Sequence, residues 1–207
     1  MSAIRIGIWS AYAVTMTGVA YGVALGIGFA VFGLSKPIVD PLLAVMEVLT
    51  MVSALLLLVT MSAVHRYALA EHRTSSLIAF ALMTLATGLT CTVHFVELTA
   101  LRQLGTAGIV WPSIPYAIEL FAWNFLLGLS LLFAARVFVH GNRAVRVRRG
   151  LMLCGALCFC GTIGPAVGNM RLQFIGVFGY AVVLPVVCLM LAGLFRAEHA
   201  NNNRASL

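Results

Sequence analysis

Long apolar runs, broken by short clusters of charged residues and prolines, dominate the chain. Reading between those breaks predicts six helices, at about 7–34, 42–64, 76–100, 116–139, 150–168 and 173–195. A helix needs roughly 20 predominantly apolar residues to cross the hydrocarbon core of a bilayer, and these runs supply them. They are continuous and lack the alternating segments of about 10 residues that mark an outer-membrane barrel. The expected fold is an all-α membrane protein, a bundle of six transmembrane helices forming a single domain over residues 1–207. The first run is too long for the apolar part of a signal peptide, so it reads as a retained helix.

Composition supports the same solvent. Hydrophobic residues make up 62% of the chain and charged residues 9%, and the mean hydropathy is +1.04. Soluble domains carry about 25% charged residues, so too little polar surface exists here to coat a fold in water. The few charges that remain are unevenly placed. With the N-terminus in the cytoplasm, ten of the thirteen Lys and Arg fall on the cytoplasmic side: Arg5, Arg66, Arg73, Arg136, Arg143, Arg146, Arg148, Arg149, Arg196 and Arg204. Only Lys36, Arg102 and Arg171 fall outside. This bias predicts an inner-membrane protein with both termini cytoplasmic.

The net charge of +7 therefore reads as topology, and the run RAVRVRR (143–149) is placed to touch anionic lipid headgroups. Nucleic acid is excluded as a partner, because the basic residues border helices and no soluble module holds them. Cys91, Cys154, Cys158, Cys160 and Cys188 all lie within apolar runs, form no CxxC pair, and read as small packing residues. Gly18, Gly22 and Gly26 recur every fourth residue on the first helix. That spacing makes a groove for close helix approach, either within the chain or in a homo-oligomer.

The acids are the informative exception. Of six acidic residues, Glu71 and Glu198 lie on the cytoplasmic side, and Asp40, Glu47, Glu97 and Glu119 lie on the other. With a rise of 1.5 Å per residue, Glu47, His94, Glu97 and Glu119 all fall within about 10 Å of the outer boundary, on three different helices. Thr87, Thr90, Cys91, His94 and Glu97 follow helical i, i+3, i+4 steps along one face. Thr50 continues the polar face of Glu47, Tyr116 and Trp123 flank Glu119, and Asn124 lies close by in sequence though rotated away. The bland alternative is that Arg102 and Arg171 neutralise two of the glutamates. Three glutamates and a histidine against two arginines still leave an acidic excess, and ionisable residues inside a membrane mark functional sites by default.

The phrase TVHFVELTALRQL, a tryptophan–proline loop and the helix start YAIELFAWN resemble a stretch of uncharacterised bacterial six-helix membrane proteins. The resemblance is best over residues 93–124 and implies a bacterial inner membrane without implying an activity.

These features predict an outward-facing pocket built by the second, third and fourth helices that binds a small lipophilic molecule. Glu47, His94, Glu97 and Glu119 are the candidate acid–base residues, suited to isomerisation or cyclisation. Trp123, Asn124, Thr50, Thr90 and Tyr116 are the candidate ligand contacts, with Trp123 able to hold a developing cation over its ring. No cofactor is expected. The alternatives are a proton-coupled or cation transporter, a non-catalytic scaffold, and a single-metal site at His94 and the glutamates.

Overall fold

The computed structural model of the chain describes residues 3–33, 36–105 and 111–205. Among these the regular structure is entirely helical, in six helices long and apolar enough to span a membrane: α1 (Ala3–Phe32), α2 (Leu42–Tyr67), α3 (Ala70–Leu101), α4 (Ile114–Ala135), α5 (Asn142–Ala166) and α6 (Met170–Asn201). Their outward surface is apolar. Val19, Val23 and Ile27 of α1, Leu77 and Leu85 of α3 and Val182 and Val186 of α6 are all exposed. Such a surface suits contact with lipid.

The boundaries differ from the sequence reading most at α5. That helix begins at Asn142 rather than about 150, so Arg143, Arg146, Arg148 and Arg149 are helical. At the far end of the chain α6 likewise carries its helix past Arg196. Hydropathy marks how far hydrocarbon extends, whereas backbone hydrogen bonding continues past it.

Each helix packs on its neighbours in sequence, and α6 returns to α1 to close a ring. Small hydroxyl residues register the pairs. Thr60 of α2 donates to Ser10 of α1 at 2.9 Å, and Ser53 donates to Thr17 at 2.7 Å. Thr87 of α3 donates to the Ala54 carbonyl of α2 at 3.1 Å, and Ser130 of α4 to the Ala79 carbonyl of α3 at 2.7 Å. Without water as competitor, interhelical bonds of this kind average about 0.6 kcal/mol each and reach about 1.7.

The ring is not uniform. Between α4 and α5, a Cβ on Gly155 would stand 2.8 Å from the Gly128 carbonyl oxygen. Between α5 and α6, a Cβ on Gly161 would stand 2.7 Å from the Gly176 Cα. Glycine here lets three helices touch backbone to backbone. No comparable chain of glycine contacts joins α1, α2 and α3 at the end of the bundle that carries residues 36–41 and 111–113, and a cavity opens inside the ring there. Of the glycines on α1, Gly18 packs on the Pro185 ring of α6, while Gly22 and Gly26 are exposed and a Cβ added at either would meet nothing within 4 Å. The predicted groove is thus used inside the chain at only one of its three positions.

Three helices contain a π-helical turn: Glu97–Leu101 in α3, Phe121–Leu126 in α4 and Gly179–Val183 in α6. The turn in α6 has a local cause. Pro185 lacks an N–H, so the carbonyl four residues earlier loses its helical partner and the helix widens just before the ring. The Pro185 carbonyl in turn accepts from Thr15 of α1 at 3.1 Å.

Candidate functional site

The cavity has a volume of about 760 Å³ and is lined by α1, α2, α3, α4 and α6, with none of the lining from α5. It extends from Asp40 and Trp111 to Val14, Leu57 and Pro185. Leu57 lies 15 positions beyond the start of α2, about 22 Å along the helix. Beyond that depth the interior is a packed core that includes Met61, Leu131, Phe138 and Phe195. The sequence reading assigned the pocket to α2, α3 and α4; α1 and α6 complete its wall, bringing Tyr21, Gln173 and Tyr180 to it.

Two polar pairs organise the mouth. The first joins α3 to α4: His94 Nε2 lies 3.0 Å from Glu119 Oε1, with both side chains largely buried (6% and 12% exposed). Glu119 sits two residues before the π-helical segment of α4, and His94 three residues before that of α3. The second is an arginine hub. Arg102 donates from Nε and Nη2 to the two oxygens of Asp40, both at 2.8 Å, and from Nη1 to the Glu97 carbonyl at 2.8 Å. The same Nη1 lies 2.9 Å from Glu47 Oε2, whose side chain is 1% exposed. These hydrogen bonds hold the Asp40 carboxyl below the usual carboxylate range, and the carboxylates hold the guanidinium more firmly charged.

The bland reading of the acids therefore holds for Glu47, which Arg102 neutralises, and fails for Arg171, which is exposed and joins no ion pair among the described residues. Among the described residues, Glu119 has only a histidine as ionic partner. Several buried polar atoms at the site have no hydrogen-bond partner among the described residues: Glu47 Oε1, Glu119 Oε2, His94 Nδ1 and Trp123 Nε1. A buried polar atom left unpaired costs about 1–3 kcal/mol. All four residues line the cavity, although these particular atoms are turned away from its open space.

Of the residues singled out in the sequence, Glu47, Thr50, His94, Tyr116, Glu119 and Trp123 line the cavity. Glu97 is buried and within electrostatic reach of Glu47, but does not line it. Thr90 is buried elsewhere on α3. Asn124 does not line the cavity either; it lies five residues beyond Glu119, inside the π-helical segment of α4. It packs fully buried against Gly161 of α5 and Gly176 of α6, away from the cavity lining. The single-ion alternative gains no support, since no three His, Cys, Asp or Glu among the described residues form a set that could hold a metal. Tyr21, Tyr180 and the bridging role of Asp40 were missed. Tyr21 and Tyr180 carry no charge to flag them, and nothing local links Asp40 to Arg102, 62 residues away.

No protein-family model, no curated protein and no solved structure matches the chain. The functional argument rests on the site itself.

Proposed function

We propose that this multi-pass membrane protein binds a small lipophilic molecule in the cavity, with the ligand's polar end at the His94–Glu119 pair. The observation that carries the reading is a largely apolar and aromatic cavity lined at its mouth by the polar side chains of Glu47, His94 and Glu119, from three helices. Ligand pockets are commonly built this way, apolar over most of the wall with a few convergent polar groups that fix orientation. Acid–base chemistry is within the site's means. Glu119 can take up or release a proton at Oε2 while His94 Nε2 holds its other oxygen, and Glu47 presents a second carboxylate from α2. Isomerisation of a lipophilic substrate, with protonation at one carbon and deprotonation at another, is the reaction class that uses two such groups. A transport path would need the apolar core beyond Leu57 and Pro185 to open.

The test is native mass spectrometry of protein extracted in mild detergent, wild type beside Glu119→Gln and His94→Ala. A co-purifying organic mass that is present in the wild type and depleted in both variants is the expected result. A bare wild-type protein that also fails to retain any lipophilic compound from a total lipid extract would sink the reading.

We further propose an inner-membrane setting with both termini cytoplasmic, so that the cavity opens outward. The ten-to-three distribution of Lys and Arg supports this orientation. Alkaline phosphatase fused after Leu207 should be inactive, and fused within 111–113 active; the reverse pattern would invert the orientation.

A further inference from the structure

The charge of the cavity wall narrows the class of occupant. Its lining contains Asp40, Glu47 and Glu119 with His94, and no lysine or arginine. Arg102 stands behind the wall, its guanidinium engaged by Asp40 and Glu47 together. Counting only these groups, three carboxylates face one arginine and one histidine. Even with His94 charged, the wall is left with one negative charge in excess.

Around that excess stand aromatic rings. Tyr21, Tyr116, Trp123 and Tyr180, from α1, α4 and α6, all line the cavity, and the Trp123 and Tyr180 rings lie 5.4 Å apart at 53°. Trp123 is one turn from Glu119, and the three tyrosines lie within electrostatic reach of the same carboxylate. A carboxylate without a permanent cationic partner, set among aromatic rings in an apolar cavity, matches one ligand chemistry closely. Ring faces attract cations, most strongly where water is excluded, and a carboxylate supplies the countercharge. An anionic headgroup would meet like charge at Glu119, and would find no lysine or arginine on the wall.

We infer that the cavity is a site for a lipophilic cation, an organic amine in its protonated form or a quaternary ammonium. Its charged nitrogen sits between Glu119 and the Trp123, Tyr116 and Tyr180 rings, and its apolar body runs toward Leu57 and Pro185. This rests on the proposal that the cavity binds a lipophilic molecule, and adds the sign of its charge.

The test uses two probes of nearly equal shape and opposite fixed charge, tetraphenylphosphonium and tetraphenylborate. Neither titrates, so the comparison is free of probe protonation. Binding to the full-length protein in nanodiscs of zwitterionic lipid is measured by equilibrium dialysis, with empty nanodiscs subtracted. The expected result is saturable phosphonium binding at least about tenfold tighter than borate. Glu119→Gln, which keeps a hydrogen-bonding partner for His94, should weaken phosphonium binding about tenfold and bring the two probes together. The wild-type comparison needs no variant, so a misfolded Glu119→Gln protein does not blunt it. Equal binding of both probes, unmoved by Glu119→Gln, would overturn the cation inference and leave the lipophilic cavity standing. Failure of both probes to exceed the empty nanodiscs would remove the cavity reading with it.

Discussion

Replacing Arg102 with methionine tests the arginine hub on which the mouth of the cavity depends. The side chain pairs with two carboxylates and donates to a backbone carbonyl, from three segments of the chain, so its loss is felt unequally. Asp40 is about half exposed (47%), and water replaces the guanidinium there; an exposed pair of this kind contributes about 0–1 kcal/mol. Glu47 is different, because at 1% exposure no solvent is at hand. Its raw attraction to Arg102 is about 4 kcal/mol at a charge separation near 4 Å and an effective dielectric of 20. Desolvation of both groups consumes much of that, yet removing one partner still costs about 3–5 kcal/mol because a buried charge is left alone. We expect Arg102→Met to destabilise the protein by about 3 kcal/mol, the low end, since the mouth lies near the membrane boundary. At about 2–4 °C per kcal/mol for a chain of this length, the apparent melting temperature in detergent should fall by about 6–12 °C. The decisive comparison is with Glu47→Gln alone and the double variant. Once Glu47 is neutral the arginine has less to compensate, so the pair should show a coupling of about 2 kcal/mol. A single-variant loss below about 1 kcal/mol, or strict additivity in the double variant, would refute the reasoning.

Three further outcomes follow from the geometry. Gly155→Ala should cost about 1–3 kcal/mol, read as a lower melting temperature, because the new methyl meets the Gly128 carbonyl and Leu132. Gly22→Ala on the open face of α1 should be neutral or stabilise by up to about 1 kcal/mol; an equal loss at both would mean that something covers that face. The Asp40 carboxyl, held below its ordinary range by Arg102, stabilises the fold above its unfolded pKa and loses that contribution as pH falls through the folded value. The stability gap between wild type and Asp40→Asn should therefore be constant from neutral pH to about 4 and shrink below it, by detergent melting across a pH series. A gap that widens on acidification would contradict the ion pair.

How much of this was legible beforehand is best seen in particular residues. The tally of Lys and Arg, the six apolar runs and the depth of the acids can each be counted along one dimension, because lipid acts on every residue of a helix alike. So the shared depth of Glu47, His94 and Glu119 came from sequence, and so did the single polar face of α3, where Thr87, Thr90, His94 and Glu97 are all buried. Asn124 shows the limit. Nearness in sequence to Glu119 suggested a shared site, but rotation around α4 delivers it to the glycine contacts of α5 and α6 instead.

Sequence alone thus determined the solvent, the number of helices and which rare side chains must face inward, since burying charge in lipid is too costly to leave to chance. Only the tertiary structure decided what those side chains meet. Tight glycine packing draws α4 and α6 onto α5 and leaves the free volume on the opposite side of the ring, mainly beside α1, α2 and α6. Closure of the ring by α6 on α1 brings Tyr21 and Tyr180 to the same cavity as Glu119. Arg102 could have served any of four acids. Its hold on Asp40 and Glu47, which leaves Glu119 to His94, follows from helix rotation and the approach of the residue 36–41 segment, contacts between residues too far apart in the chain for local pattern to encode.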